Sequence, residues 1–481
     1  MTKKEKNMAF KDLREFIELL ERENQLVRVK QEVDWNLEAG AIIRRAYELQ
    51  ERASLFEKVK DAPGCRMMGG PCGTYARMAL AMGMSAEASV KEIADEFDSR
   101  IQNKIKPMLV STGSCKENIL KGNDIDLFKF GAPMAHDGDG GRYINTWGFI
   151  VTRDMEDTGW VNWGMYRQMI HTKNMMGGLI LPGQDIGRMY QKYEKANKPM
   201  PFATVIGGDP ICTIGGSLSA GPGESEADLA GGLRKSPVEL VKCETVDIEV
   251  PSDAELVIEG HVLPKVRVEE GPFGEYTGFR TSPRAPRPVY EVTCITHRNN
   301  PILTVSNMGT PVDEADIVMT LAWRNEAARA LKTLPVVEVA MPAYGSGHLV
   351  VVSVQRAYSG VAVHVANAIW GSKLGYLVPM VIVVDDDVDV FNLGEVVHAV
   401  STKCHPVRGV HSRPNTPGHA LYPFLSFEER KWGRAANLLL DCTWPVGWDP
   451  NIEIPPKASF VNIYPKDVQE KVLGNWNKYG F

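Results

Sequence analysis

The chain lacks any apolar run long enough to cross a bilayer. Its longest apolar stretches, such as residues 378–384, fall far short of the roughly 20 residues that a spanning helix needs. Residues 1–6 are mostly charged and lead into an amphipathic pattern, so the apolar core of a secretory signal is absent as well. We therefore expect a cytoplasmic protein with no membrane partner.

Metal-binding and disulfide motifs are also missing. The eight cysteines form no CxxC pair, and the ten histidines form no HExxH motif or His-rich tract. These absences argue against a structural zinc site and a disulfide framework, so reduced thiols are expected. A formal net charge of -6, a pI near 6.0 and the lack of a Lys/Arg-rich run argue against a nucleic-acid partner.

What the chain does contain is an ordinary globular composition, with 44% hydrophobic and 24% charged residues over 481 positions. A helical pattern at 10–20 and a strand pattern at 26–29 predict an N-terminal α/β domain over 1–118. Short β-rich runs between turns predict a barrel or sandwich over 119–311. Alternating helix and strand patterns predict a C-terminal α/β domain over 312–481, so the expected fold class is α/β and multidomain.

Residues 269–275 read Glu-Glu-Gly-Pro-Phe-Gly-Glu and place acidic side chains at both ends of a Gly-Pro-Phe-Gly block. Pro272 fixes its own φ and biases Gly271 away from helix, so Glu270 and Glu275 are expected on a turn of defined shape. Such a pair can divide the roles of ion-pair partner and proton donor when its surroundings separate the two pKa values. A solvated surface turn is the alternative that this segment leaves open.

Two further features belong to the β-rich region. Arg167 lies in an otherwise apolar, strand-like segment, and a buried arginine needs a carboxylate partner such as Glu270 or Glu275. The proline-rich stretch 282–288 is expected to be a rigid connector.

Three oxygen-bearing side chains, Asn162, Asp185 and Glu226, form the kind of ligand set that hard divalent ions prefer. Structural alternatives remain open, because Asp185 can cap the following helix and Glu226 can be a first-turn acid. Lys373 can neutralise a phosphate or keep a helix soluble. The Gly-Gly-Ser loop at 215–217 can approach a cofactor or form a tight turn.

Taken together, these stretches resemble the UbiD family of reversible decarboxylases, which use prenylated FMN. The family's Arg and two Glu match Arg167, Glu270 and Glu275, with the Glu-Gly-Pro-Phe-Gly-Glu spacing intact. Its metal-binding Asn and Glu match Asn162 and Glu226. So many matches in the right order are hard to obtain by chance.

Two departures from the family pattern concern the cofactor site. Family members place a His after Gln as the third metal ligand, whereas this chain has Gln184 followed by Asp185. An Asp adds a third oxygen donor and one negative charge, which favours a hard ion and leaves a contact through water open. Before Arg167 the chain reads Gly-Met-Tyr where several members read Ser-Ile-Ala, so the side chains lining the flavin are expected to differ.

The resemblance implies roles for particular residues. The implied catalytic residues are Arg167, Glu270 and Glu275. The implied metal ligands are Asn162, Asp185 and Glu226. The residues implied to bind the cofactor are Asn162, Gly164, Met165, Tyr166, Arg167, Gln184, Ser217, Leu218, Glu226 and Lys373. The divalent ion would be Mn²⁺, with Fe²⁺ or Mg²⁺ as alternatives, and the backbone at 216–218 would hold K⁺.

The implied activity is reversible, non-oxidative decarboxylation, with prenylated FMN as the electron sink and Glu275 as the proton donor to carbon. Arg167, held by Glu270, would orient the substrate carboxylate. The aromatic side chains of Tyr166 and Tyr276 favour an aromatic or heteroaromatic acid, or an aroyl thioester, as substrate. Decarboxylation of an α,β-unsaturated acid is the alternative within the family.

The resemblance also implies an assembly. The central part would be a split β-barrel that binds the flavin, and the C-terminal α/β domain with its terminal helix would form a homodimer or homohexamer. The partners would be the acid substrate, CO2 and a flavin prenyltransferase that supplies the cofactor. Outside this family, the alternatives are an FMN-dependent oxidoreductase, a metal-dependent hydrolase and a non-catalytic assembly subunit.

Overall fold

The computed structural model describes residues 9–218, 220, 221 and 224–481, so the charged stretch at 1–6 lies outside the described part. The helices are α1 (Leu13–Arg22), α2 (Glu38–Glu48), α3 (Tyr75–Ala81), α4 (Val90–Gln102), α5 (Asp185–Lys195), α6 (Pro210–Gly215), α7 (Glu226–Arg234), α8 (Glu314–Ala330), α9 (Val361–Gly371), α10 (Leu393–Lys403), α11 (Phe427–Trp432), α12 (Phe460–Ile463) and α13 (Lys466–Gly474).

The strands are β1 (Leu26–Val33), β2 (Ala53–Val59), β3 (Arg66–Gly69), β4 (Met108–Leu109), β5 (Asn118–Lys121), β6 (Tyr143–Asn145), β7 (Gly148–Arg153), β8 (Val161–Gly164), β9 (Gln168–Thr172), β10 (Met175–Gly178), β11 (Met200–Ile206), β12 (Glu239–Lys242), β13 (Glu249–Pro251), β14 (Leu256–Glu270), β15 (Ala285–His297), β16 (Ile302–Val305), β17 (Val336–Ala340), β18 (Leu349–Val354), β19 (Met380–Asp385), β20 (Val410–Pro417) and β21 (Arg434–Cys442).

The N-terminal part contains a four-stranded mixed sheet in the order β1-β2-β3-β16. Helix α1 forms because Asp12 accepts the N–H of Glu15 at its first turn and because its apolar residues recur on one buried face. The helix expected at 10–20 and the strand expected at 26–29 are therefore confirmed. The fourth strand, β16, comes from far along the chain and ties this sheet to the central part.

The central part is a nine-stranded sheet in the order β6-β9-β10-β15-β14-β11-β7-β8, with β5 also paired to β15. This sheet curls into a half-barrel, which confirms the expected β-rich middle. Its two longest strands, β14 and β15, pair in antiparallel register down to Glu270 and Ala285. The connection between them, residues 271–284, therefore begins at the predicted acidic turn.

The C-terminal part contains a five-stranded mixed sheet in the order β17-β18-β19-β21-β20. Strands β18, β19 and β21 run parallel, and β17 and β20 pair antiparallel at the two edges. The long helix α8 leads into this sheet and starts at a capping box, in which Asp313 and Asp316 each accept the other's backbone N–H. The expected alternation of helix and strand is confirmed.

The end of the chain runs over the surface. Helix α13 has no buried residue, and Leu473 is 63% exposed. Among the described residues, no helix is both long and apolar enough to cross a membrane.

Two expectations about local structure were wrong. The stretch 282–288 is only partly a connector, because Pro286 and Pro288 lie in β15 and pair with β14. At this end of β15 the pairing with β10 has already stopped, so a missing N–H on that side of a proline has no strand to bond to. Arg167 does not lie in a strand, because it falls in the break between β8 and β9.

Candidate active site

The acidic turn is buried. Glu270 is the last residue of β14, and Gly271 follows with φ +83°, a conformation that L side chains rarely adopt. The N–H of Glu275 donates to the carbonyl of Phe279 at 3.2 Å. Glu270 is 1% exposed and Glu275 is 4% exposed, so the alternative of a solvated surface turn is wrong for these two acids.

Arg167 joins the two acids. Its Nε donates to Glu270 Oε1 at 2.9 Å and its Nη2 donates to Glu270 Oε2 at 3.1 Å, which is a forked, two-bond pair. Its remaining nitrogen, Nη1, contacts Glu275 Oε1. The guanidinium carbon also lies 5.1 Å from the ring centre of Phe273. The three residues implied to be catalytic therefore meet in one place, as the sequence predicted.

The charges at this place are unequal. One guanidinium faces two buried carboxylates, and losing it would leave them without their cation in a poorly solvated site. A second guanidinium, that of Arg287 on β15, lies near Glu270. Burial lowers the pKa of Arg287, and the negative charge of Glu270 opposes that shift. Arg167 is therefore fixed to Glu270 through two of its three nitrogens, and its third nitrogen contacts Glu275.

The three predicted metal ligands also gather. Asn162 on β8 and Glu226 at the start of α7 are buried, and Asp185 opens α5. Burial raises the pKa of Glu226 to about 7, and the nearby charge of Asp185 adds to the rise. Asn162 Nδ2 is buried and finds no hydrogen-bond partner in the described part of the chain. The amide nitrogen cannot bind a cation, but the side-chain oxygen of Asn162 and the two nearby carboxyl groups are oxygen ligands that suit a hard divalent ion.

Lys373 and Tyr166 border this oxygen cluster. Lys373 Nζ lies 3.3 Å from Asp185 Oδ2, which brings the C-terminal part onto the cluster. Burial raises the pKa of Tyr166, while the side chain of Asn162 and the backbone N–H of Ile186 face its hydroxyl and oppose the shift. Tyr166 therefore stays neutral and its hydroxyl lies among the predicted ligands.

The other residues implied to bind the cofactor are placed as follows. Gly164 needs to be glycine, because a Cβ there would lie 2.3 Å from the Tyr166 ring. Met165 packs against a buried cluster that includes Leu218. Gln184 Oε1 accepts the N–H of Leu181, and Ser217 Oγ donates to the carbonyl of Ile214. Both side chains thus bond to backbone groups, and residues 219, 222 and 223 beside the expected K⁺ site lie outside the described residues.

Sequence reasoning missed two residues of this site. The Tyr143 hydroxyl donates to Glu270 Oε1 at 2.8 Å, across 127 positions of sequence. Arg287 was passed over as part of a proline-rich connector. Neither residue has a partner at a fixed spacing, so only the pairing of the central strands brings them to the turn.

Three consecutive parts of the chain match models of one protein family. Residues 17–97 match the N-terminal domain of 3-octaprenyl-4-hydroxybenzoate carboxy-lyase. Residues 108–311 match its Rift-related domain, and residues 317–442 match its C-terminal domain. These three matches define a carboxy-lyase. The chain belongs to the UbiD family.

Individual relatives agree with this assignment. Pyrrole-2-carboxylic acid decarboxylase of Pseudomonas aeruginosa is 31% identical over 494 aligned residues, which cover 99% of each chain. The vanillic acid decarboxylase of Sedimentibacter hydroxybenzoicus, in its closed form, has a TM-score of 0.89 at 32% identity, with 98% of this chain and 99% of that chain covered. An evolved dimeric form of the UbiD-class enzyme HmfF from Pelotomaculum thermopropionicum, in complex with prFMN, has a TM-score of 0.78 at 31% identity, with 92% and 96% covered.

Proposed function

We propose that this protein is a reversible, non-oxidative decarboxylase of an aromatic or heteroaromatic carboxylic acid, or of an aroyl thioester, that works with prenylated FMN. The observation that carries the proposal is the buried guanidinium of Arg167, paired twice to Glu270 and once to Glu275. The names of the relatives support the substrate class, since they include pyrrole-2-carboxylic and vanillic acid decarboxylases.

Loss of CO2 from an sp² carbon leaves an electron pair that no side chain can take up, and prenylated FMN would supply the required electron sink when bound. Asn162, Asp185 and Glu226 would hold a divalent ion, Mn²⁺ in first place, whose positive charge would offset the negative charge of the flavin phosphate. Lys373 would add positive charge beside Asp185, and backbone oxygens at 216–218 would hold K⁺. The oxygen atoms that these three side chains offer support this assignment.

The substrate carboxylate would bind to Arg167. Because Nε and Nη2 are the nitrogens that bind Glu270, the nitrogen that the substrate would share is Nη1, which now contacts Glu275. An incoming carboxylate would compete with Glu275 for that nitrogen. Glu275 would then be free to carry a proton and deliver it to the carbon that has lost CO2, which is general acid catalysis.

The side chain next to Glu275 supports an aromatic substrate. Tyr276 lies against Trp323 with ring centres 6.4 Å apart and against His348 with ring centres 6.0 Å apart. An aromatic wall beside the proton donor suits a flat acid, because offset and edge contacts between rings are favourable. An α,β-unsaturated acid is the alternative substrate.

We also infer the setting in which the protein works. The exposed helix α13, with Leu473 63% exposed, supports assembly of the C-terminal part 312–481 into a homodimer or homohexamer. A flavin prenyltransferase would supply the cofactor in the cytoplasm, where the described cysteines would stay reduced. In the proposed domain division, the N-terminal domain over 1–118 supports the central domain over 119–311, and the central domain binds the flavin.

The test is to produce the chain together with a flavin prenyltransferase and to measure the mass of the released cofactor. CO2 release is then followed with benzoic, pyrrole-carboxylic and cinnamic acids that carry ring substituents. Prenylated FMN together with CO2 from an aromatic acid is the expected result, and Glu270→Gln is expected to keep the cofactor but release little CO2. Unmodified FMN with consumption of a nicotinamide would point instead to an oxidoreductase, and a colourless protein would contradict any flavin function.

A further inference from the structure

One segment of the chain contacts both ends of the acidic turn. Residues 136–143 read His-Asp-Gly-Asp-Gly-Gly-Arg-Tyr and lead into β6. We call this segment the 136–143 strap. It lies against the turn at 270–275 through side chains at its two ends and through backbone in its middle.

Tyr143 is the C-terminal contact of the strap. Its hydroxyl donates to Glu270 Oε1 at 2.8 Å, so this oxygen accepts from Tyr143 as well as from Arg167 Nε. The Tyr143 ring is fully buried and packs on Phe273 with ring centres 4.4 Å apart. Glu270 is therefore held by three donated hydrogen bonds, whereas Glu275 contacts only one nitrogen of the guanidinium.

Asp139 is the N-terminal contact of the strap. Its Oδ1 accepts the N–H of Gly274, the residue before Glu275, at 3.1 Å. Its Oδ2 accepts the backbone N–H of His136 at 3.1 Å and lies 3.0 Å from His136 Nδ1. The Asp139 side chain has no exposed surface, and Arg280 Nε lies 3.8 Å from its Oδ1. A buried carboxylate with several donors is a firm anchor for the backbone beside Glu275.

The middle of the strap fits the turn closely. The N–H of Gly140 donates to the carbonyl of Pro272 at 2.8 Å. A Cβ on Gly140 would lie 2.1 Å from the carbonyl oxygen of Gly271, and a Cβ on Gly274 would lie 2.5 Å from the His136 ring. Glycine at these two positions lets the two backbones approach each other directly.

We propose that the 136–143 strap makes the two acids of the turn unequal, with Tyr143 and Asp139 as positioning residues. Tyr143 secures Glu270 as the lasting partner of Arg167, and Asp139 fixes the backbone from which Glu275 reaches the same guanidinium by a single contact. Glu275 is then the acid that can leave Arg167 when a substrate carboxylate arrives. This inference rests on the proposed decarboxylase function.

The first test is Tyr143→Phe, which removes the hydroxyl and keeps the ring packing on Phe273. Loss of one hydrogen bond to a charged group should lower kcat by about tenfold, because Arg167 then shifts between the two acids. KM should stay within about twofold, since Nη1 remains available to the substrate. Flavin content and thermal midpoint should match the wild type.

Tyr47→Phe is the matched control, because the Tyr47 hydroxyl also pairs with a buried glutamate, Glu314, outside the active site. It should lower the thermal midpoint and leave kcat unchanged. A Tyr143→Phe enzyme with wild-type kcat, or with a raised KM as its only change, would overturn the proposal.

The second test is independent of turnover. Asp139→Asn removes the negative charge and leaves one acceptor oxygen to share among the N–H of Gly274, the N–H of His136 and the His136 ring, so the contact to Gly274 should weaken. Amide hydrogen exchange of peptides covering 271–279 should become about tenfold faster, while peptides from β20 should exchange as in the wild type. Unchanged exchange at 271–279 would overturn the role of Asp139. If the wild type released no CO2 from any acid, the proposed function would fail, while this exchange measurement would still decide whether the strap holds the turn.

Discussion

Arg167 binds Glu270 through Nε at 2.9 Å and Nη2 at 3.1 Å, although the two residues stand 103 positions apart in the sequence. Such a two-bond pair needs a planar guanidinium group on one residue and a carboxylate on the other. The side-chain exposures of 7% and 1% mean that both charges have little contact with bulk water.

Arg167→Lys is the first variant that follows from this geometry. An ammonium group carries the same charge but cannot bind Glu270 twice and Glu275 once, so we expect CO2 release to fall by at least about a hundredfold. The rate is measured under saturating substrate, with flavin content recorded for each sample. Arg267→Lys is the control, because Arg267 pairs with Glu194 at 2.6 Å on the protein surface. An Arg167→Lys variant with more than a tenth of the wild-type rate would show that the two-bond pairing of the guanidinium with Glu270 is not required for activity.

Asp185→His tests the predicted oxygen ligands. The variant replaces one carboxylate oxygen by an imidazole nitrogen and removes a negative charge, so the site should prefer a softer ion. We expect the ratio of bound Zn²⁺ to bound Mn²⁺ to rise by about tenfold when both ions are offered in equal amounts. Metal content is measured by mass spectrometry after desalting. An unchanged ratio would mean that Asp185 is not a ligand.

Gly164→Ala tests the packing around Tyr166. The new Cβ would lie 2.3 Å from the tyrosine ring, so the ring must shift away from Asn162 and Asp185. We expect Mn²⁺ affinity to weaken by about tenfold and the thermal midpoint to fall, measured by calorimetry. Gly474→Ala is the control, because nothing lies within 4 Å of a Cβ at that position. Equal effects of the two substitutions would count against the predicted site.

His348 gives a prediction about pH. Burial lowers the pKa of His348 and of His419 to about 4. Because the unfolded chain takes up these protons near pH 6.5, the stabilisation is complete above about pH 6.5 and is lost as pH falls toward about 4. Each histidine can contribute up to about 3 kcal/mol to that loss. His348→Phe keeps a ring between Tyr276 and Tyr422, so it should reduce the drop in thermal midpoint between pH 7.5 and 5.

The control for this prediction is His398→Gln, since His398 is exposed on α10. The surface variant should show the same drop in thermal midpoint as the wild type. If His348→Phe also showed the full drop, the protonation of His348 would not contribute to acid instability.

Much of the fold could be predicted from local pattern. Helix α1 was predictable because its apolar residues repeat at helical spacing behind the Asp12 cap. The acidic turn was predictable because glycine and proline restrict the backbone around Glu270. The meeting of Arg167 with that turn was also predictable, since a buried arginine must find a carboxylate.

The parts that sequence reasoning missed depend on strand pairing. Pro288 reads as a connector, yet it lies opposite Arg267 in the β14–β15 pair. Strand β16 looks like the end of the β-rich region, yet it pairs with β3 of the N-terminal sheet. Tyr143 reaches Glu270 only because β6 and β14 belong to the same curled sheet. Neutral tyrosines carry no charge that would point to a distant partner.

The most direct measurement follows turnover in D2O with the wild type and Glu275→Gln. The glutamine keeps the shape of the side chain but cannot release a proton, so CO2 release and deuterium incorporation at the product carbon should both fall by at least about a hundredfold. Flavin content should stay at the wild-type level. Full turnover with full deuterium incorporation in Glu275→Gln would contradict the assignment of Glu275 as the proton donor.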